Sequence, residues 1–207
     1  MPDRRLILVR HGATVWNAEG RYTTRSDIPL SPAGLEQARA TAAALASERI
    51  DQAFCSPLGR ARQTGEIIMA AQARPVELVV DERLTEIDAG PFEGLTPEEI
   101  DAGPLAEAHA LWRADTDTVT PEGAESLAAA RERAAAFFAE VAALPGTTLA
   151  ATHGSLTRVL VASVVLAADP AVHRRMWLGN GHWVVVEHDD RPRLVAFNMG
   201  PGADTGP

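Results

Sequence analysis

The chain predicts an α/β fold: a three-layer α/β/α sandwich with a mostly parallel central sheet and its active site at the C-terminal edge of the strands. Three observations carry this expectation. Short apolar or β-branched runs alternate with segments of helical period along the whole length. No internal repeat and no linker-like break divides the 207 residues, a length that fits one domain with a substantial core. Two of the short runs lead into His-Gly pairs, LILV through Arg10 into His11-Gly12 and TTLAAT directly into His153-Gly154. In open α/β sheets the ends of parallel strands are where ligands bind.

The first strand lies in residues 6–17, LILVRHGATVWN, where four apolar residues run into an Arg-His-Gly turn. Strand side chains alternate faces, so Arg10 and His11 share a pocket only if the strand ends between them; Gly12 lets the backbone turn there. Ser31-Pro32 opens a helix, serine as N-cap and proline in the first turn, with Leu35, Ala38, Ala42 and Leu45 on one apolar face. A strand over 51–55 follows, and Ser56-Pro57 starts a second helix with the same cap chemistry. Residues 75–80 read as a strand, Thr96-Pro97 as a helix start, and 121–144 as a helix ended by Pro145-Gly146. The β-branched run 147–152 enters His153-Gly154, and 156–167 is a largely apolar helix. A final strand pair, 183–187 and 193–197, flanks the turn Asp189-Asp190. One domain is expected over 1–199, with an acidic cap segment at 87–146 and a disordered tail over 200–207.

Composition narrows the function classes. An apolar fraction of 46% and a charged fraction of 23% are those of an ordinary globular protein. The formal charge of −9 argues against nucleic-acid and acidic-membrane partners, which need basic patches, while local arginines can still hold a small phosphate. The single cysteine, Cys55, permits no intrachain disulfide and no cysteine metal cluster, and reads as core. The apolar run at 6–9 is too short for a signal peptide or a membrane span, so a cytoplasmic protein is expected. A homodimer is compatible with the sequence but not required by it.

A lone strand-end histidine is more often structural than chemical. Two at matching strand ends of one parallel sheet converge on one edge, which shifts the balance toward a site. In SPLGRARQT, Arg60 and Arg62 stand two apart on a helix and do not share a face, so at most one reaches that edge. Glu86 has Glu82, Asp88 and Glu93 for neighbours and by position alone reads as a surface carboxylate. His109 and His173 read as surface residues, and Trp112 and Trp177 as packing.

LVRHGATVWN, SPLGRARQT, LTEIDAGPFEG, PEGAES and ATHGSLTR, in this order and spanning almost the whole chain, resemble the histidine phosphatase superfamily in its phosphoglycerate-mutase-like branch. The resemblance implies that His11 is a nucleophile carrying a phosphohistidine intermediate. It implies that Arg10, Arg60 and His153 clamp the phosphoryl oxygens, that Asn17 assists, and that Glu86 is the proton donor. It selects Arg60 over Arg62, in agreement with the one-face argument. Thr14 either braces the loop or touches phosphate, and His182, after Gly179-Asn180-Gly181, is a candidate substrate contact. Two departures mark the pocket wall. Thr23 and Thr24 stand where the family's RxxG segment carries glycine, leaving the contacts of Thr23 open, and Ala89 replaces a usual aromatic. Trp16, Ala89 and Phe92 point to a leaving group with some apolar surface.

The chemistry needs these residue types. Phosphoryl transfer is largely positioning and neutralisation of charge on three equatorial oxygens. Arginine supplies a planar, permanently charged fork that matches phosphate in two bonds. A nucleophilic imidazole must be neutral, and neighbouring cations hold its pKa down. The leaving alkoxide needs a proton, which a carboxyl group supplies. No metal or other cofactor is required. Residues 87–152 contain twelve Asp and Glu but only Arg113, Arg131 and Arg133 as full cations, a poor cradle for a polyanionic phosphoglycerate. A phosphomonoesterase acting on a small-molecule phosphate is therefore expected ahead of cofactor-dependent phosphoglycerate-mutase-type transfer, and both ahead of a metallohydrolase or a non-catalytic phospho-ligand binder.

Overall fold

The computed structural model describes residues 4–115 and 118–200. In chain order the elements are β1 (Arg4–Arg10), α1 (Val15–Ala18), α2 (Pro32–Leu45), β2 (Gln52–Cys55), α3 (Gly59–Ala70), β3 (Leu78–Val80), α4 (Pro97–Asp101), α5 (Ala106–Ala114), α6 (Leu127–Ala142), β4 (Gly146–Thr152), α7 (Gly154–Val159), β5 (Trp183–His188) and β6 (Pro192–Met199). The sheet runs β3-β2-β4-β1-β5-β6. β3, β2, β4 and β1 pair in parallel, whereas β5 is antiparallel to both β1 and β6. The mixed α/β fold with a mostly parallel sheet is as expected.

β1 shows why the sheet needs two helical layers. Leu6 and Leu8 point into one core with Phe137, Val141, Leu156 and Val161 from α6 and the α7 region. Ile7 and Val9 point into a second, with Ala42, Leu45, Ile68 and Met69 from α2 and α3. All four are buried, and a strand apolar on both faces is stable only when both are covered. Cys55 lies wholly inside, and burial pushes its thiol up to about 11.

Several boundaries depart from expectation for physical reasons. α3 starts later than expected, with Leu58 as N-cap and no side-chain cap bond; the Ser56 hydroxyl lies ahead of the helix, accepting the Leu58 N–H at 3.3 Å and meeting His153 Nε2 at 2.8 Å. The helix expected over 121–144 begins only at Leu127, capped by Ser126; Gly123, at φ +80°, sits in a conformation a helix does not tolerate. The strand expected over 75–80 keeps three residues, the length over which β3 pairs with β2. The apolar helix after His153 is α-helical over Gly154–Val159 and continues as a π-helical stretch over Leu160–Val165. α5 is a helix that the sequence pattern does not predict. His109 and His173 are both buried rather than on the surface. His109 is accommodated because both ring nitrogens are paired, Nε2 with the Tyr22 hydroxyl at 3.1 Å and Nδ1 with Asp101 at 2.7 Å. A small third core of Ala89, Phe92 and Ile100 packs against Tyr22 and Trp112 above the sheet edge, so Phe92 is an interior residue here and not a pocket wall. Beyond Gly200, the expected tail lies outside the described residues.

Candidate active site

Register brings the two histidines together. β1 and β4 are parallel neighbours with Arg10 opposite Thr152, so His11 and His153 leave the same edge side by side. The His11 N–H donates to the Thr152 carbonyl at 3.0 Å, and the ring centroids stand 5.1 Å apart. Gly12 is required here for a reason other than a turn. Its φ is not in the left-handed region; a Cβ on it would run into the Gly34 carbonyl at the start of α2. The close approach of these two glycine backbones seats the loop after His11 against α2.

Two bonds define the state of His11. Nδ1 lies 2.7 Å from the Gly12 carbonyl, which can only accept, so Nδ1 carries the proton. Nε2 accepts from Arg60 Nε at 3.3 Å, which leaves it as the nitrogen with the lone pair. Burial, then the charges of Arg60 and Arg10, hold the pKa of His11 well below the ordinary histidine value, against the raising effect of the Gly12 bond. His11 is therefore a neutral imidazole with one nucleophilic nitrogen. His153 is also held well below its ordinary value, first by burial and then by the neighbouring His11, Arg60 and Arg10. Its Nε2 meets the Ser56 hydroxyl at 2.8 Å, while its buried Nδ1 has no partner among the described residues.

Arg60 is completely buried and Arg62 is exposed, paired with Glu66 at 3.6 Å. The Arg60 guanidinium is bound by neutral groups alone: His11 Nε2 and the carbonyls of Ser26 at 2.7 Å and Thr24 at 2.8 Å. Burial lowers its pKa, opposed at longer range by Glu86, Glu93 and Asp27. The loop supplying those carbonyls is itself tied by Glu93, whose carboxylate accepts the Thr24 and Ser26 N–H groups at 2.9 Å and the Thr24 hydroxyl. Burial raises the Glu93 pKa, but these bonds outweigh it and the carboxyl is held below its usual range. Thr23 turns its hydroxyl to the Arg21 carbonyl at 3.1 Å, so its backbone faces the site more than its side chain does. Arg10 donates to the Leu178 carbonyl.

Glu86 is buried beside the start of α7. Its Oε1 accepts the Leu156 N–H at 2.9 Å and the Ile87 N–H at 2.8 Å; its Oε2 accepts the Ser155 N–H at 2.9 Å. These bonds orient the carboxylate and leave Oε2 with a lone pair for a further partner. Asn17 is oriented as firmly. Its Oδ1 accepts the Thr14 N–H at 3.0 Å and Asn180 Nδ2 at 3.3 Å, so Nδ2 is the end that remains to donate. Thr14 braces the loop: buried, it caps α1 in a reciprocal capping box with Asn17.

Arg10, Asn17, Thr23 and Glu86 line a cleft of about 490 Å³, together with Asn180 and Arg158. His11, Arg60 and His153 are buried and are not among the residues that line it, although their neighbours Arg10 and Gly154 are. His182 turns the other way, its Nδ1 bonded to Asn198 Oδ1 at 2.7 Å and its ring edge-on to Trp177. The place expected for it in the cleft is taken by Asn180, whose Nδ2 also donates to the His11 carbonyl at 3.1 Å. Asn180 and Arg158 were not singled out from sequence. The glycines flanking Asn180 were a usable signal; for Arg158, a helical arginine, there was none. A wider cleft of about 1250 Å³ at the opposite sheet edge has Arg5 and Arg49 paired with Glu48 and Asp51, and no histidine lines it.

Residues 6–199 match the profile of the histidine phosphatase superfamily (branch 1). A probable phosphoglycerate mutase GpmB of Yersinia enterocolitica is 34% identical over 203 residues, covering 92% of this chain and 88% of that protein. A solved mycobacterial glucosyl-3-phosphoglycerate phosphatase in complex with VO3 is 30% identical, with a TM-score of 0.83 over 95% of this chain and 100% of that one. An α-ribazole-5'-P phosphatase from Escherichia coli superposes with a TM-score of 0.87 over 95% of this chain and 97% of that one. At 23% identity it speaks for the fold alone.

Proposed function

Since the chain belongs to the histidine phosphatase superfamily, we propose that it is a phosphomonoesterase working through a phosphohistidine on His11. The observation that carries this is the protonation state of His11: neutral, with Nδ1–H tied to Gly12 and Nε2 aimed at the guanidinium of Arg60. A phosphoryl group entering above Nε2 takes over the bond that Arg60 makes there and is held by Arg60, Arg10, His153 and the Asn17 amide. Nε2 attacks phosphorus, the P–N bond forms, and the P–O bond to the leaving group breaks. Glu86 delivers a proton to the departing oxygen. Water then attacks the phosphohistidine and gives its proton to Glu86, inorganic phosphate leaves, and Nε2 regains its lone pair. Removing either clamp arginine uncovers charge that builds in the transition state, where such stabilisation counts most.

Hydrolysis is favoured over mutase chemistry by where the cap cations sit. Arg133 is bound to Glu125 at 2.7 Å and to the carbonyls of Arg83 and Thr85, and Arg131 lines a separate depression on the back of α6. Of the three, only Arg113 reaches the neighbourhood of the cleft. The relatives named as mutases keep that activity as the second reading. Phosphate release from 4-nitrophenyl phosphate and a metabolite panel tests the first, with phosphoglycerate isomerisation assayed in parallel. Wild-type protein is expected to release phosphate and to yield an acid-labile, base-stable phosphoenzyme, and His11→Ala to do neither. Full turnover by His11→Ala overturns the proposal.

A further inference from the structure

The clamp role of His153 depends on which of its ring nitrogens carries the proton. The ring is neutral, so one nitrogen is a donor and the other a lone pair, and only the donor can bond a phosphoryl oxygen. Sheet order decides its neighbours. β4 lies between β1 and β2, with Cys55 opposite Ala151, so His153 leaves the sheet edge with His11 on one side and Ser56 on the other. The Ser56 N–H donates to the Ala151 carbonyl at 3.0 Å, which fixes Ser56 against the end of β4. Ser56 and His153 are both wholly buried, and the Ser56 hydroxyl meets His153 Nε2 at 2.8 Å.

Counting donors and acceptors separates the two tautomers. A hydroxyl has one proton and two lone pairs, and one lone pair of Ser56 accepts the Leu58 N–H at 3.3 Å. If Nε2 carried the imidazole proton, it would donate to the other lone pair. The hydroxyl proton would then have no acceptor among the described residues, and Nδ1 would be a bare, buried lone pair. Each such orphan is costly. With the proton on Nδ1, the hydroxyl donates to Nε2 and keeps the Leu58 bond. The one unmet group is then the Nδ1–H, a donor that a phosphoryl oxygen can satisfy. The start of α7 agrees. His153 is its N-cap, where a bare Nδ1 could accept a free N–H of the first turn, yet the side chain makes no cap bond. The N–H groups of Ser155 and Leu156 go to Glu86 instead.

We propose that the Ser56 hydroxyl donates to Nε2 of His153 and holds it in the Nδ1–H form, making Ser56 the positioning residue that turns a neutral imidazole into a donor for the phosphoryl group. The bond made at one ring nitrogen sets the proton on the other. The phosphoryl seat is that of the proposed phosphatase, and the role of Ser56 there rests on that reading.

Two-bond proton–nitrogen correlation spectra of isotopically labelled protein at about pH 7.5 read the tautomer directly, with the His153 signals identified by their loss in His153→Gln. In the wild type His153 is expected to be protonated on Nδ1 and bare on Nε2. Ser56→Ala is expected to move the proton wholly or partly to Nε2 and to weaken binding of inorganic phosphate, read by calorimetry, about tenfold, the scale of one hydrogen bond to a charged group. Ser56→Thr keeps a hydroxyl and is expected to keep the wild-type tautomer and most of the affinity. Protonation of wild-type His153 on Nε2, or on both nitrogens, overturns the proposal, and this outcome needs no variant to fold. A folded Ser56→Ala in which His153 keeps the wild-type proportion of Nδ1–H overturns the assignment to Ser56. Unchanged phosphate affinity once the proton has moved overturns the donor role of Nδ1, as does a wild type that binds no phosphate. Turnover of 4-nitrophenyl phosphate reads the phosphatase reaction separately: a wild type that shows the Nδ1–H form and binds phosphate without turnover loses that reading and keeps the role of Ser56 in binding.

Discussion

Holding two uncharged histidines under the cleft makes stability depend steeply on pH below about 6.5. In the fold, His11 and His153 stay neutral far below the ordinary histidine value. In the unfolded chain both take up a proton as pH falls through about 6.5. Between that value and the lowered native ones the unfolded state binds more protons, so the native state loses stability as pH falls. A histidine fully inside this window contributes between one and two kcal/mol per pH unit, and the pair together about 3 kcal/mol. Domains of this size are stable by only about 5–15 kcal/mol, so one or two pH units consume much of the margin. Urea unfolding of wild type and of the His11→Gln/His153→Gln double variant, from pH 7.5 to 5.0, isolates the effect. The carboxylates and the less strongly lowered His188 are common to both proteins. The wild type is expected to lose about 3 kcal/mol more than the double variant for each unit below 6.5, and the two slopes to agree above pH 7.5. Parallel pH dependences throughout would refute the claim that both imidazoles are kept neutral by the fold.

Two further substitutions probe how the site is held. In Glu93→Gln the loop loses a charged acceptor for the Thr24 and Ser26 N–H groups, so unfolding free energy should fall by about 1–3 kcal/mol. Because that loop positions Arg60, kcat/KM for 4-nitrophenyl phosphate should fall about tenfold or more; unchanged kinetics in a destabilised protein would show that the loop does not control Arg60. Gly12→Ala places a methyl group against the rigid Gly34 carbonyl, and overpacking against backbone should cost about 3 kcal/mol or prevent folding, read by thermal and urea melts.

What was legible in the sequence were the parts with a local signal. The alternation of Leu6, Ile7, Leu8 and Val9 between two cores, the Ser31-Pro32 helix start and the matched strand-to-His junctions all rest on neighbours close in sequence. The one-face rule allowed only one of Arg60 and Arg62 at the site, and the family resemblance selected Arg60, which is the buried one. What was missed depends on partners distant in sequence. Ser56 looks like no more than a local cap, and its bond to His153, 97 residues on, has no local signal. His109 looks like a surface residue until Tyr22, 87 residues earlier, supplies a partner for its second nitrogen. His182 is the residue the sequence puts forward in the turn after Gly179, but its bond to Asn198 on β6 turns it away and Asn180 lines the cleft instead.

The arginines show how an acidic chain keeps some of its cations without a counter-charge. With a net charge of −9, carboxylates are abundant, and arginines such as Arg21, Arg83, Arg133 and Arg193 are bound by one or more of them. An arginine neutralised in this way has little field left for a ligand. Arg60 escapes neutralisation because it is surrounded by backbone carbonyls and an imidazole, and the acid nearest in role, Glu93, grips the loop rather than the guanidinium. Arg158 escapes in the same manner on the far side of Glu86. Carbonyl oxygens satisfy the N–H groups of a cation but leave its charge, so they hold a guanidinium in place while keeping it attractive to an incoming anion. Global charge therefore constrains this site less than the chemical identity of each arginine's partners. If Arg60 serves the proposed phosphatase reaction, introducing a carboxylate beside it, for example by Ser26→Asp, is expected to lower kcat/KM for 4-nitrophenyl phosphate more than the same change beside Arg133 does.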